Sequence, residues 1–370
     1  MAYSNARRSV PGRKRNKAVY DDGLPFKIPT IQCDGLSLTG YDMKALIPTK
    51  FNLTSTWAAY GDSFTFGVGS NINWAARLAT LTGTTVVNNA VNSTTVARFT
   101  NSNPTTLIND LLKTPAYDNY SSIIAYGFND IRNNKSLYAD VYLWQQVYMN
   151  AVLAAALPQS AMDDARTGWT ESGTWANTTV SNHGRYTATQ NDYTEKVITG
   201  RYYAFSFLNL YYEASNWEVK MDGVIELVNI RAATQSQGDT YHARAVLLDM
   251  GTSAARTVRV TNKNASTPNQ YFQWCAAWDD TTVGMKDVLC LGIPKFDFAF
   301  SGGSPNNAGT GTRRLLFDDG IQDVARTCSA LGVPVYYLPT INMGCLDGDQ
   351  VHWRDGAHIQ RAKRIKTSLA

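Results

Sequence analysis

Hydrophobic residues follow two different patterns along the chain. In one part, short apolar runs at 57–60 and 122–126 alternate with longer amphipathic stretches such as 74–81. Apolar runs of this length between helical stretches predict buried parallel strands joined by helices. The remaining predicted strands of this kind are 85–88, 287–292 and 334–338, and the remaining helices are 105–113, 139–157, 312–331 and one after 358.

Between about 164 and 280 the apolar residues alternate with polar ones instead. The runs are short, rich in Thr, Val, Tyr and Trp, and separated by turns such as Asp222-Gly223. Many short strands at a spacing of roughly 8–12 residues are typical of an antiparallel sandwich. We therefore predict one α/β domain, 56–160 and 286–370, interrupted by a β-sandwich insert, 161–285.

The N-terminal segment, 1–55, follows neither pattern. Its prolines and scattered glycines predict an extended lead-in that lies along another surface. Before Tyr20 it carries only basic charges, at Arg7, Arg8, Arg13, Lys14, Arg15 and Lys17. Such an arm either docks on an acidic partner or nucleic acid or is a solvated, frayed terminus, and we favour the second interpretation. Asp21-Asp22-Gly23 follows where a signal peptide would need an apolar stretch.

Composition narrows the class of protein. Of 370 residues, 44% are hydrophobic and 17% are charged, which is typical of a folded protein rather than a disordered one. No run approaches the roughly 20 apolar residues of a membrane helix, so we expect no membrane partner. The cysteines are widely spaced without a CxxC motif, which favours neither a disulfide framework nor a zinc site. We expect no metal and no cofactor; the cysteines are Cys33, Cys275, Cys290, Cys328 and Cys345.

Three short motifs lie next to predicted strands of the same sheet: Gly61-Asp62-Ser63, Gly127-Phe128-Asn129-Asp130 and Asp355-Gly356-Ala357-His358. Ligands of open α/β sheets bind beyond the carboxyl ends of the strands, so these motifs should meet. A serine becomes a nucleophile when a base takes its proton and a third group orients that base. Ser63, His358 and Asp355 supply those roles, and Asn129 supplies a hydrogen bond to an oxyanion. The alternative is that they are ordinary turns, with Asp355 as a helix cap and His358 exposed.

The order of these motifs resembles the SGNH/GDSL hydrolase family over about 56–158 and 286–370. The resemblance implies a flavodoxin-like, three-layer α/β hydrolase domain with Ser63 as nucleophile, His358 as base and Asp355 orienting the base. It also implies an oxyanion hole formed by the N–H groups of Ser63 and Ser93 and by the Asn129 side chain. Ser93 departs from the family pattern, which has glycine there. Serine keeps the N–H, but its Cβ restricts the backbone and the approach of substrate.

The insert resembles the jelly-roll, galactose-binding-like modules that accompany carbohydrate esterases and phage surface proteins. The similarity lies in three segments, 217–223, 247–251 and 257–261. Flat aromatic side chains stack on sugar rings, so we consider as substrate-binding candidates Trp169, Trp175, Trp274 and Trp278. Most tryptophans are nevertheless core residues.

These observations favour a serine esterase that removes O-acyl groups, mainly O-acetyl, from a cell-surface polysaccharide, as a phage virion-associated enzyme. The alternative is a virion structural or receptor-binding protein whose SGNH domain binds glycan with little or no catalysis. A lysophospholipase or thioesterase ranks last, because it needs an apolar acyl tunnel. We expect an acylated polysaccharide as partner, other virion proteins bound through 1–55, and a homo-oligomer as one option. The expected location is the virion, released by lysis, or the extracellular space; a cytosolic enzyme also fits.

Overall fold

The computed structural model describes most of the two predicted regions and little of the lead-in. The described residues are 18–19, 25–26, 56–96, 120–132, 141–178, 184–210, 215–230, 241–264, 269–294, 310–339 and 355–369. The predicted helix 105–113 lies outside them, as do Cys33, Cys345 and most of 1–55. Within the lead-in, β1 (Ala18–Val19) pairs antiparallel with β2 (Pro25–Phe26).

A five-stranded parallel sheet confirms the α/β prediction. Its strands are β3 (Trp57–Gly61), β4 (Val86–Asn88), β5 (Ser121–Ala125), β15 (Val288–Leu291) and β16 (Val335–Leu338). They lie in the order β4, β3, β5, β15, β16, and every pair in the sheet is parallel. The chain thus starts at β3, adds β4 on one side, and then crosses to add β5 on the other. The order reverses between β3 and β5.

Helices connect these strands, as the alternating pattern predicts. They are α1 (Ser63–Phe66), α2 (Trp74–Thr82), α3 (Phe128–Arg132), α4 (Val141–Ala156), α5 (Thr310–Ala330) and α6 (Asp355–Leu369). Helix α2 shows both end signals: the Asn73 side chain accepts a hydrogen bond from the Ala76 N–H at 2.8 Å, and Gly83 ends the helix in a left-handed conformation. No helix among the described residues has the length and apolar character needed to cross a membrane.

The insert forms one antiparallel sheet in which two long strands join two layers. These are β10 (Tyr193–Leu210) and β13 (Tyr241–Asn262). Their register shifts at Gly200/Tyr202; on one side of the shift they continue into β11 and β12, and on the other into β14. The other strands are β6 (Met162–Asp164), β7 (Thr170–Ser172), β8 (Ala176–Asn177), β9 (Arg185–Thr187), β11 (Ser215–Met221), β12 (Val224–Ile230) and β14 (Gln270–Trp278).

Side chains of the β10–β13–β14 layer point alternately into two hydrophobic cores. Tyr203 and Phe205 face the interior of the insert, where they pack with residues of β11 such as Trp217. Tyr202 and Ala204 face the other way, into the core shared with the parallel sheet and α4. The molecule therefore combines an α/β unit and a β-sandwich, and one sheet layer is buried on both faces.

Specific polar contacts also tie the insert to the α/β unit. The indole Nε1 of Trp278 donates to the Leu331 carbonyl at the end of α5, at 2.7 Å. The chain enters and leaves the insert side by side, because the Lys286 N–H donates to the Ala156 carbonyl at 2.8 Å. The first contact fixes the insert to the α/β unit, and the second, between two residues of the α/β unit, holds together the two ends of the chain that flank the insert.

Candidate active site

The carboxyl ends of β3 and β5 flank the point where the strand order reverses. Gly61 and Ala125, the last residues of these strands, are register partners. The chain continues from them into α1, which starts with Ser63, and into α3, which contains Asn129. Ligands of open α/β sheets bind in the crevice at such a reversal point. Two of the three predicted motifs thus lie side by side at the ligand-binding edge of the sheet.

The turn around Ser63 is tightly packed. A Cβ on Gly61 would lie 2.2 Å from Thr65 Oγ1 and 2.8 Å from the Ala125 carbonyl, so no larger residue fits there without a backbone shift. Asp62 caps α1 by accepting a hydrogen bond from the Phe64 N–H at 3.1 Å. The Phe64 ring meets the Phe128 ring edge-on, with centroids 4.7 Å apart. The turn is therefore locked against α3.

Asn129 is oriented by the loop that follows β4. Its side-chain Nδ2 donates to the Thr94 carbonyl at 3.0 Å, and this bond is buried. The same loop is fixed to the end of β3, because the Val91 N–H donates to the Gly61 carbonyl at 3.0 Å. An amide nitrogen carries two protons, so one proton fixes the side chain of Asn129 while the second can donate to a substrate oxygen.

Ser93 has a left-handed backbone, with φ = 62°. This region favours glycine, because a Cβ strains it. Ser93 precedes Thr94 directly and is exposed. The SGNH/GDSL hydrolases that the sequence resembles have glycine at this position. Ser93 adopts the left-handed conformation that glycine adopts readily.

Helix α6 brings the third motif to the same edge. Asp355 is its first residue and His358 lies within its first turn, fully buried, which contradicts the alternative of an exposed His358. Helix α6 packs against α2. The Asp355 carboxylate accepts hydrogen bonds from Ser70 Oγ and, at 2.9 Å, from the Asn71 N–H. The structure thus joins the third motif to the loop that follows Ser63; the catalytic roles of Ser63, Asp355 and His358 stay predictions.

Buried ionisable groups lie around the turn of Ser63. The pKa of Asp62 is raised from 3.8 to about 7, mainly by burial and in smaller part by the neighbouring Asp130 carboxylate. The Phe64 and Asn129 N–H groups and the Arg361 guanidinium act in the opposite direction. The pKa of Arg361 is lowered to about 10, because burial outweighs the opposite effect of the Asp318 and Asp62 carboxylates.

Two residues near the candidate site, Arg361 and Ser70, are not predicted from the sequence. Arg361 lies one turn beyond His358 on α6, and its Nη2 donates to the Gly292 carbonyl after β15, at 3.3 Å. Ser70 lies in the loop between α1 and α2. The signal for Arg361 is its place at i+3 from His358, on the same face of the helix. Ser70 has no comparable signal, because its partner is far away in the sequence.

The tryptophan predictions need correction. Trp274 is 1% exposed and belongs to the core shared by the two units, and Trp278 is equally buried there. Trp175 is 8% exposed and packs in the interior of the insert, where its ring stacks near that of Trp217. These rings cannot offer a face to a sugar. Trp169 is partly exposed, with its ring edge-on to Phe272 at 5.2 Å, and stays a candidate.

Metal ligands and reactive thiols are not features of the described site. No group of three or more His, Cys, Asp or Glu side chains suited to a metal occurs in the part of the chain that the structure describes. Cys275, Cys290 and Cys328 are free and buried, and burial raises the pKa of each thiol. Thiols in such surroundings are unreactive.

Comparison with known proteins gives weak similarities. No protein-family model matches the sequence, and no curated protein matches it significantly. A two-domain esterase active on acetylated mannans, crystallised with mannopentaose, is 11% identical over 60% of this chain and 90% of its own, with a TM-score of 0.34. The CBM36-1 domain of a multidomain xylanase from the hindgut metagenome of Trinervitermes trinervoides is 11% identical over 31% of this chain and 92% of its own, with a TM-score of 0.25.

A third similar structure is the catalytic domain of a GH87 alpha-1,3-glucanase in complex with nigerose. It is 8% identical over 35% of each chain, with a TM-score of 0.26. Because all three TM-scores lie below 0.5, the function is inferred below from the site itself.

Proposed function

We propose that this protein is a serine esterase of the SGNH type. One observation carries the proposal: the turn of Ser63 and the side chain of Asn129 lie where the order of the parallel strands reverses, and the loop that follows Ser63 is hydrogen-bonded to Asp355, on the helix of His358. The strand order, 2-1-3-4-5 along the chain, is that of flavodoxin-like sheets, whose ligands bind at this point. The left-handed conformation of Ser93, where the family has glycine, adds support.

The mechanism follows from these positions. Ser63 Oγ attacks the ester carbonyl carbon while the His358 imidazole takes the hydroxyl proton. The carbonyl oxygen becomes an oxyanion, which the N–H groups of Ser63 and Ser93 and the second Nδ2 proton of Asn129 stabilise. The alcohol leaves with the proton from His358, and a serine acyl ester remains. Water then attacks that ester, with His358 again as base, releases the carboxylic acid and restores Ser63.

We further propose that the substrate is an O-acylated, mainly O-acetylated, cell-surface polysaccharide. The insert is fixed to the α/β unit through a shared core, so a long substrate bound at the insert keeps a constant distance from Ser63. Trp169 is partly exposed on that insert. A phage virion is the proposed setting, supported by the basic arm before Tyr20, through which other virion proteins would bind, and by the resemblance of the insert to modules of phage surface proteins.

The test compares the wild type with Ser63→Ala on p-nitrophenyl esters of increasing chain length and on an acetylated polysaccharide. We expect the acetyl ester to be preferred and Ser63→Ala to lower kcat by about 1,000-fold or more. Trp169→Ala should raise KM for the polysaccharide several-fold and leave hydrolysis of p-nitrophenyl acetate unchanged. Equal rates for the wild type and Ser63→Ala would refute the esterase.

A glycan-binding virion protein without catalysis is the second candidate. It is favoured by the Asp355 carboxylate, which accepts hydrogen bonds from Ser70 and Asn71, partners other than the imidazole that it is expected to orient. This candidate predicts that Ser63→Ala changes neither ester hydrolysis nor polysaccharide binding, whereas Trp169→Ala weakens binding.

A further inference from the structure

Ser70 lies in the loop between α1 and α2, and its hydroxyl contacts more than one polar group. Its Oγ contacts the Asp355 carboxylate, lies 2.8 Å from the Ile72 carbonyl, and accepts a hydrogen bond from the Ile72 N–H at 3.2 Å. A serine hydroxyl has a single proton to donate. The ionised carboxylate is the stronger acceptor, so the Ser70 hydroxyl donates its proton to Asp355. The Ile72 N–H donates to the Ser70 oxygen and helps to orient it.

This loop is tied directly to the nucleophile. The N–H groups of Gly67 and Val68 donate to the Ser63 carbonyl at 2.9 and 3.1 Å, and the Ser70 N–H donates to the Gly67 carbonyl at 3.2 Å. Gly67 is left-handed with φ = 94°, and a Cβ there would lie 2.7 Å from the Cβ of Asn73. The loop therefore has little freedom to move relative to Ser63.

The other end of the contact lies on the helix of the predicted base. Asp355 and His358 are three residues apart in the first turn of α6, so a shift of one moves the other. Ser70 is the largest cause of the lowered pKa of Asp355, which indicates that the contact is made to the ionised carboxylate. A hydrogen-bonded path thus runs from the Ser63 backbone through Ser70 and Asp355 to the helix of His358.

We propose that Ser70 is a positioning residue of the esterase, which acts through Asp355 to hold α6, and with it His358, against the loop that follows Ser63. This role rests on the proposed function. It differs from the role of Asp355 implied by the resemblance, because the carboxylate serves here as a clamp between two segments of the chain. Asn71 contributes a backbone N–H, which any residue except proline would also supply at that position.

The experiment is a double-mutant cycle on Ser70→Ala and Asp355→Ala, read by kcat and KM for p-nitrophenyl acetate and by the rate at which a fluorophosphonate labels Ser63. We expect Ser70→Ala to lower kcat and the labelling rate by roughly 10- to 100-fold with little change in KM, since small misplacements of reacting groups have such effects. In the Asp355→Ala background, Ser70→Ala should have no further effect, because the acceptor of its hydrogen bond is already lost.

Two controls separate positioning from general damage. Ser70→Thr keeps the hydroxyl and should restore the rates to within a few-fold of the wild type. Thr80→Ala removes a hydroxyl that bonds the Ala76 carbonyl at 3.1 Å on the exposed side of α2, and should change nothing. Hydrogen exchange of the amides in 355–361 should quicken in Ser70→Ala even if its melting temperature is unchanged.

The outcomes distinguish the two proposals. An active wild type with wild-type rates in Ser70→Ala, or effects of the two substitutions that simply add, would overturn the role of Ser70 alone. A wild type that neither hydrolyses the ester nor is labelled at Ser63 would overturn the proposed function and, with it, this role.

Discussion

The parallel sheet and the insert bury polar side chains in different places. Around the parallel sheet most of them lie beyond the carboxyl ends of the strands, as Asp62, Asn129 and Asp130 do. Within the described strands of that sheet, Ser121 and Ser122 at the start of β5 are the exceptions. In the insert they lie within strands: the Ser206 hydroxyl donates to Gln273 Oε1 at 2.8 Å and accepts from Asn150 Nδ2 of α4 at 2.6 Å.

This difference separates two uses of buried polarity. Beyond a strand end, backbone pairing has stopped, so buried polar groups can face a ligand. Within a strand, the groups are enclosed by neighbours on both sides, so their hydrogen bonds connect elements and fix their alignment. Position relative to the strand end, rather than burial itself, therefore distinguishes the candidate site from the structural network.

The largest expected effect comes from the apolar layer between the two regions. Trp274→Ala should lower the free energy of unfolding by about 3–5 kcal/mol, because it leaves a cavity in the shared core. Urea unfolding followed by circular dichroism should show one transition for both regions, in the wild type and in the variant. Trp169→Ala, at a partly exposed ring, is the control and should have a smaller effect. Two separate transitions in the wild type would show that the regions fold independently.

A second test asks whether buried charge beyond the strand ends destabilises the fold. The folded protein keeps the Asp62 proton up to about pH 7, while the unfolded chain releases it near 3.8. The wild type should therefore lose stability as pH rises from about 4 to 7. Asp62→Asn keeps an oxygen to cap α1 and removes this titration. Its stability relative to the wild type should increase across that window by on the order of a few kcal/mol.

The control for Asp62 is Asp279, a carboxylate in the insert whose pKa is shifted in the opposite direction. Hydrogen bonds from Ser253 and Thr281 lower the pKa of Asp279 to about 2. Its contribution to stability is present above about pH 4 and is lost as pH falls towards 2. Asp279→Asn should thus give a constant offset between pH 4 and 7. Urea unfolding at several pH values measures both variants, and parallel profiles for Asp62→Asn and the wild type would contradict the prediction.

The smallest effect is expected for the polar network between α4 and the insert. Asn150→Ala removes the donor to Ser206, whose hydroxyl still donates to Gln273. We expect a loss of about 1–2 kcal/mol, the cost of one buried hydrogen bond and a small cavity, without change in ester hydrolysis. Thermal unfolding and an activity assay measure the two effects. A loss of activity at full stability would place Asn150 in the site and remove the distinction drawn above.

The sequence predicted the elements of the parallel sheet well, because short apolar runs flanked by helical stretches have few alternative structures. The predicted strands 57–60 and 122–126 and helix 74–81 agree with the observed elements to within one residue at each end. The three motifs were also expected at one edge, since parallel strands place their carboxyl ends together. The sequence does not predict the burial of His358, because one turn of helix does not reveal what packs on it.

The tryptophans of the insert were harder to predict for a physical reason. Alternation identifies a strand with one buried and one exposed face. Strand β14 is buried at every position, because its layer separates two cores. The alternating pattern therefore predicts an exposed Trp274, because the sequence does not show that a second core covers the other face of this strand. Ser70 was missed because its partner lies 285 residues away, and no local pattern records such a contact.

The hydrogen bond between the Lys286 N–H and the Ala156 carbonyl bears on how such a protein can change over evolutionary time. A segment whose two ends adjoin can be gained, replaced or deleted in a single genetic event without rerouting the remaining chain. The apolar face that Trp274 and Trp278 cover constrains the outcome, because a replacement must present a surface of similar shape to the host. Exchange of the module is thus topologically simple, and the shared core restricts which modules are accepted.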